Sequence, residues 1–237
     1  MSPQRSWLVV LLSIVLARSA AAQELIAGFE GGPSYGLGSV SPIFSVPFDA
    51  TQAVIIKPTV SYLYYEKRTL LGESQITAPA LSLGLGYRYN DEKFAFAAAP
   101  SIQVLWERQK NLFGPDTNRT RFGVLFAGDA SYQAGPLTDL NVSASYDQAN
   151  RYYWSRAGVK QRVTDLQFEN TWALLLGPEG TLQGDKDVRQ LSGGGVVEID
   201  FKNATGFQIR GGYSWLSFAD HSSDARPYFG GGVYHRF

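Results

Sequence analysis

The 237-residue chain balances 21 Lys and Arg against 21 Asp and Glu, so it has no basic excess with which to hold nucleic acid. It contains no cysteine, which excludes disulfides, thiolate chemistry and Cys-based metal sites. An aromatic content of 14% and 25 glycines beside 18% charged residues, without heptad or amphipathic-helix periodicity, favour an all-β chain.

Residues 1–22 read as a cleaved secretory signal. Arg5 lies in a polar head, an apolar run extends from Trp7 to Ala17, and Ala20 and Ala22 form an A-x-A site before Gln23. The apolar run, about 11 residues, is too short for the roughly 20 that a spanning helix needs. Residues 23–237 then form one domain, and losing Arg5 and Arg18 leaves it slightly acidic.

Period-2 alternation, which sends successive side chains to opposite faces, recurs from there onward. After a tight hairpin at Gly32-Pro33-Ser34, one strand sets Val54, Ile56, Val60, Tyr62 and Tyr64 against Lys57, Thr59, Ser61 and Tyr65. The next, APALSLGLGYRY, sets Leu81, Leu83, Leu85, Tyr87 and Tyr89 against Ala80, Ser82, Gly84, Gly86 and Arg88. Another sets Phe94, Phe96, Ala98, Ile102, Val104 and Trp106 against Lys93, Ala95, Ala97, Ser101, Gln103 and Glu107. Phe122, Val124 and Phe126 follow, then Leu140, Val142, Ala144 and Tyr146. Leu166, Phe168, Trp172 and Leu174 alternate with Gln167, Glu169 and Thr171; Val197, Ile199 and Phe201 with Glu198 and Asp200; Phe207, Ile209, Tyr213 and Trp215 with Gln208, Arg210 and Ser214. The last strand carries Phe229, Val233 and Phe237 on one parity, and its terminal phenylalanine resembles the closing signal of outer-membrane barrels.

Several of these runs exceed ten residues, against about five or six for a soluble strand and about 9–11 for one crossing a membrane. Connections counted back from the last strand alternate. Segments 218–226, 177–187, 109–118 and 66–74 read as long loops, and 202–206, 163–165, 135–139 and 90–92 as short turns, the asymmetry of outer-membrane barrels. The expectation is a closed antiparallel transmembrane β-barrel in the bacterial outer membrane. It has 12 strands, or 10 if the first hairpin stands outside the wall. Its apolar parity meets lipid.

The other parity fills a lumen with Lys57, Arg88, Glu107, Asp129, Arg156, Lys160, Glu169, Glu198, Arg210 and Arg236. Unpaired charges in a narrow interior are costly, so the expectation is cross-lumen pairing and a plugged barrel rather than a path for a solute. In the aromatic stretch 151–156, Tyr152 and Trp154 fall on the lumen parity with Arg156 and Lys160. Such rings stack on sugar faces, and they also populate membrane-interface belts.

One constellation invites a catalytic reading. His221 and Ser223 in an outer loop resemble the His–Ser pair of lipid A 3-O-deacylase barrels. In that family the pair lies on a strand and a later glutamate orients the histidine. Here Asp224 follows Ser223 and no glutamate occurs after Glu198. Neither a cofactor nor a metal is implied, since His221 and His235 lie too far apart to share an ion.

The run Leu176-Gly177-Pro178-Glu179-Gly180, then Gln183-Gly184-Asp185 and Asp187-Val188-Arg189-Gln190, resembles the cellulose biosynthesis protein BcsS family. So does 223–232, similar to the family's closing S-D-x-R-x-x-Y segment with Tyr228 one place early. The resemblance covers the last third by motif and the remainder by strand pattern. It implies an outer-membrane barrel accompanying synthesis of cellulose or a related exopolysaccharide, with that polymer and a cellulose synthase complex as partners. The expectation is a non-enzymatic barrel serving secretion, surface retention or assembly of the polymer, with a lipid A-modifying enzyme or a small-solute porin as the alternatives. No catalytic residues carry over. Read for its turn chemistry alone, Gly177-Pro178-Glu179-Gly180 is a tight turn with Pro178 at its second position.

Overall fold

The computed structural model describes residues 23–69, 72–111, 115–165, 172–201 and 204–237. The expected signal segment, Glu169, and the alternation at Leu166 and Phe168 lie outside these residues.

Among the described residues thirteen strands follow in order: β1 (Glu24–Gly32), β2 (Tyr35–Pro47), β3 (Gln52–Thr69), β4 (Gly72–Asn90), β5 (Phe94–Ala98), β6 (Ser101–Asn111), β7 (Thr117–Gly135), β8 (Thr138–Asp147), β9 (Tyr152–Asp165), β10 (Trp172–Gly184), β11 (Val188–Phe201), β12 (Thr205–Phe218) and β13 (Ser223–Arg236). Each pairs antiparallel with its neighbours. Closure comes from the first and last strands, which run side by side from Glu24↔Arg236 to Gly31↔Phe229. In hydrocarbon there is no water to satisfy an open edge, so a spanning sheet must close on itself.

The wall has twelve strands, because β5 and β6 are two halves of one. Both pair with β4 and with β7, and the register runs on unchanged, from Tyr87↔Ala98 to Gly84↔Ser101. The interruption is Pro100, which has no N–H to give the ladder. Its carbonyl still accepts from Leu85 N–H at 3.2 Å, and Ala99 N–H reaches Ala127 O at 2.9 Å. The first hairpin is part of the wall, so the count is twelve rather than ten.

Alternation assigns the faces as expected. Leu85 is 64% and Ile102 70% exposed on the outer surface, whereas Ile55, Leu105 and Ser214 on the opposite parity are buried. We term the end carrying Glu24 and Arg236 the inner end and the opposite one the outer end.

Two expectations are corrected. Gly177-Pro178-Glu179-Gly180 is not a turn; it lies in the middle of β10, with Pro178 opposite Gly195 and Glu179 opposite Gly194 of β11. On the β9 side the pairing skips from Leu176↔Gln161 to Glu179↔Gly158, so the missing N–H of Pro178 falls in a gap of the ladder. A side chain at Gly177 would run into the Val159 carbonyl, so the glycine serves close approach of two strands. Among the described residues the expected long outer loops are largely strand. Segments 66–69 and 72–74 pair with one another, 109–111 and 117–118 lie in β6 and β7, β10 runs on to Gly184 and leaves a turn at 185–187, and β12 and β13 leave one at 219–222. Polar, glycine-rich composition looked like loop chemistry, but these residues are held by hairpin hydrogen bonds.

Candidate functional site

Inward parity brings charged and hydroxylic side chains from strands far apart in sequence into one lumen. At its middle lie two carboxylates and two guanidiniums. Glu30 of β1 bonds Arg156 of β9 and lies 3.9 Å from Arg210 of β12. Glu179 of β10 lies 3.9 Å from Arg156 and 3.8 Å from Arg210. Tyr35 OH donates to Glu30 at 3.2 Å and Tyr228 OH to Glu179 at 3.5 Å. Gln190 Nε2 donates to Ser192 and Ser214, each at 3.1 Å. The four charges balance, which is what lets them be buried together.

The outer half is closed above this layer. Lys67 Nζ of β3 reaches Asp185 at 3.0 Å and Asp187 at 2.6 Å in the β10–β11 turn. Arg68 stacks over Phe218 of β12 at 4.9 Å, and the Tyr65 and Tyr152 rings meet at 5.8 Å. Burial opposes ionisation of Asp187, but the adjacent Lys67 and Lys186 ammonium groups outweigh it and hold the carboxyl below its ordinary range.

Most predicted lumen residues are engaged. Glu107 pairs with Arg121 at 2.9 Å, Lys160 with Glu198, and Arg88 with Glu24 at 2.7 Å. Arg236 lies 3.7 Å from Glu24 on the inner rim. The expected polysaccharide contacts divide. Tyr152 is buried, Trp154 is half-buried under the Arg156 guanidinium at 4.9 Å, and Lys160 belongs to a separate pair nearer the inner end. Lys57 and Asp129 share no salt bridge with any described residue; both line an inner cavity of about 180 Å³.

His221 occupies the β12–β13 turn at φ 66°, its N–H bonded to Phe218 O at 3.0 Å. It and Ser223 are exposed, and no hydrogen bond joins them among the described residues. Asp220 instead accepts from Ser222 N–H and Oγ, which hold its carboxyl below the ordinary range. His235 Nδ1 meets Thr205 Oγ1 at 2.7 Å on the inner rim. Among the described residues no group of three His, Asp or Glu side chains is arranged to hold a metal ion.

Sequence reasoning missed Glu24, Glu30 and Glu179. The first two were legible, because they alternate with Leu25, Ala27 and Phe29 in the first strand. Glu179 was hidden by the apparent turn chemistry around it.

The chain superposes on the β domain of the Bordetella autotransporter BrkA with a TM-score of 0.57 and 10% identity, covering 92% of this chain and 100% of that one. LpxR from Salmonella typhimurium gives 0.50 and 10% identity, covering 90% and 100%. Both likenesses are of fold alone. No curated protein matches the chain. Residues 25–237 match the family of cellulose biosynthesis protein BcsS. The chain therefore belongs to that family, and is an outer-membrane-type barrel associated with cellulose biosynthesis.

Proposed function

We propose that this BcsS-family barrel, with its inner end toward the periplasm and residues 1–22 removed on export, retains or assembles cellulose or a related exopolysaccharide at the cell surface. It does not conduct the polymer through its own lumen. The observation that carries this reading is the layer of Glu30, Glu179, Arg156 and Arg210 across the barrel. A glucan chain passing through would have to separate four buried charges that are compensated by one another, at several kcal/mol per ion. A barrel architecture does not by itself decide among pore, enzyme and structural roles, so the lumen contents have to carry the choice.

Deleting the gene and measuring cellulase-digestible glucan, cell-bound and released, against a complemented strain tests it. The expected outcome is a shift of glucan from cells to medium with synthesis intact. Unchanged glucan in both fractions would end this reading. In planar bilayers the purified barrel should show no steady conductance, and a large one would support a solute porin instead.

A further inference from the structure

The inner cavity differs from the rest of the lumen. Strand β5 turns Ala95 and Ala97 inward, Ala99 just beyond its end follows, and β7 adds Ala127, where other strands send arginine, glutamate and tyrosine; the missing side-chain volume is the cavity of about 180 Å³. Its upper wall is apolar, formed by Ile43, Ile55, Ala97 and Ala99. Its floor is open to solvent. Ile26 shares the lumen parity of Glu24 and Glu30 yet is 38% exposed, and the Arg236 side chain at the rim is 60% exposed. Asp129, also on the lumen parity, is exposed too. Water entering from the inner end reaches all three.

The charges in this cavity do not close among themselves. Lys57, Arg88 and Arg236 face Glu24 and Asp129, three cations against two carboxylates. Glu24 is fully engaged, with Oε2 on Arg88 at 2.7 Å and Oε1 on Arg236 at 3.7 Å. Lys57 and Asp129 make no salt bridge among the described residues. The half-buried Lys57 faces a water-filled space with one positive charge in excess around it, a field that favours an anion there over a neutral or cationic solute. The opposing Asp129 carboxylate weakens the hold on any anion, and more on a dianion than on a monoanion, so it favours a single charge.

We propose that this cavity is a binding site for one carboxylate group presented at the inner end, held by Lys57 and Arg88, with Asp129 discriminating against higher charge. The inference rests on the reading of the inner end as periplasmic for where its ligand comes from. Two sources present a carboxylate there, a small soluble acid or an acidic side chain of a periplasmic protein.

Three hexoses of one size and different charge test it. Glucuronate, glucose and glucosamine are titrated calorimetrically into the full barrel in low-salt detergent. Glucuronate should bind, with glucose at least about tenfold weaker and glucosamine silent, as expected for a charge-assisted hydrogen bond lost or reversed. Lys57→Met should weaken glucuronate about tenfold or more, and Asp129→Asn should strengthen it several-fold. Ala97→Leu should abolish binding by filling the cavity. Resistance of each unheated variant to unfolding in dodecyl sulfate confirms that the barrel is intact. A penta-glutamate peptide that competes more strongly than glucuronate identifies a protein as the source; glucuronate binding without peptide competition identifies a small acid. Glucose binding as well as glucuronate, equal losses in Lys57→Met and Asp129→Asn, or no binding by the intact wild type overturns the proposal. Because titration in detergent is independent of orientation and of glucan, its failure counts against the site alone.

Discussion

The Arg156 guanidinium of β9 bonds the Glu30 carboxylate of β1, 126 residues away in sequence and across the lumen. Removing the arginine leaves a carboxylate at 5% side-chain exposure without its nearest partner. Breaking such a buried pair costs about 3–5 kcal/mol. Arg156→Ala should therefore lower the urea midpoint of the barrel in lipid vesicles by an amount in that range. Arg156→Met with Glu30→Gln should recover most of it, and a negligible loss in the single variant would mean that the layer does not hold the lumen closed.

Lipid contact on β4 makes a second prediction. Leu83 is 52% exposed on the outer surface, opposite Ile102 of β6. Leu83→Arg should destabilise the folded barrel in vesicles by roughly 2–4 kcal/mol, the cost of a cation near the bilayer midplane. Refolding with unchanged stability would place this face away from lipid.

The glycines of β10 separate strand from turn. Gly177→Ala drives a methyl group into the Val159 carbonyl, whereas at Gly180 the nearest atom to an added methyl is Ser192 O at 3.6 Å. The first should cost about 1–3 kcal/mol as overpacking and the second should be tolerated. Equal tolerance at both, read from urea midpoints, would restore the turn reading of this segment.

His221→Ala should leave lipid A unchanged. The imidazole is exposed in a turn and no hydrogen bond joins it to Ser223 among the described residues. Mass spectrometry of lipid A from cells expressing wild type and variant checks this, and a deacylated species lost in the variant would establish the enzymatic alternative.

The β4–β5 turn carries a pH signature. Asp91 accepts N–H bonds from Phe94 at 2.7 Å and Lys93 at 2.8 Å, with Tyr89 OH at 2.8 Å, and these hold its carboxyl below the ordinary 3.8. A folded value below the unfolded one stabilises above the unfolded value and loses that contribution as pH falls through the folded value. Carboxyl carbon shifts in micelles should give Asp91 a midpoint under 3.8; one at or above it would show that the turn does not hold the carboxylate.

The two faces of the wall and its strand count follow from period 2. Alternation is a local property, so Leu81 to Tyr89 announce an outer face and Lys57, Arg88 and Arg210 an inner one, and counting such runs yields twelve wall strands. The tertiary structure decided which inward residues meet. Partners across a lumen depend on register accumulated from strand to strand and on where the sheet closes, and neither is written in any one segment. That is why Glu30, Glu179, Arg156 and Arg210 converge from four strands, and why the proline and glycines of 177–180 lie in mid-strand rather than at a turn. The alanines of β5 could be read as small, but that they leave an open, charged cavity depended on Lys57 and Asp129 facing the same space.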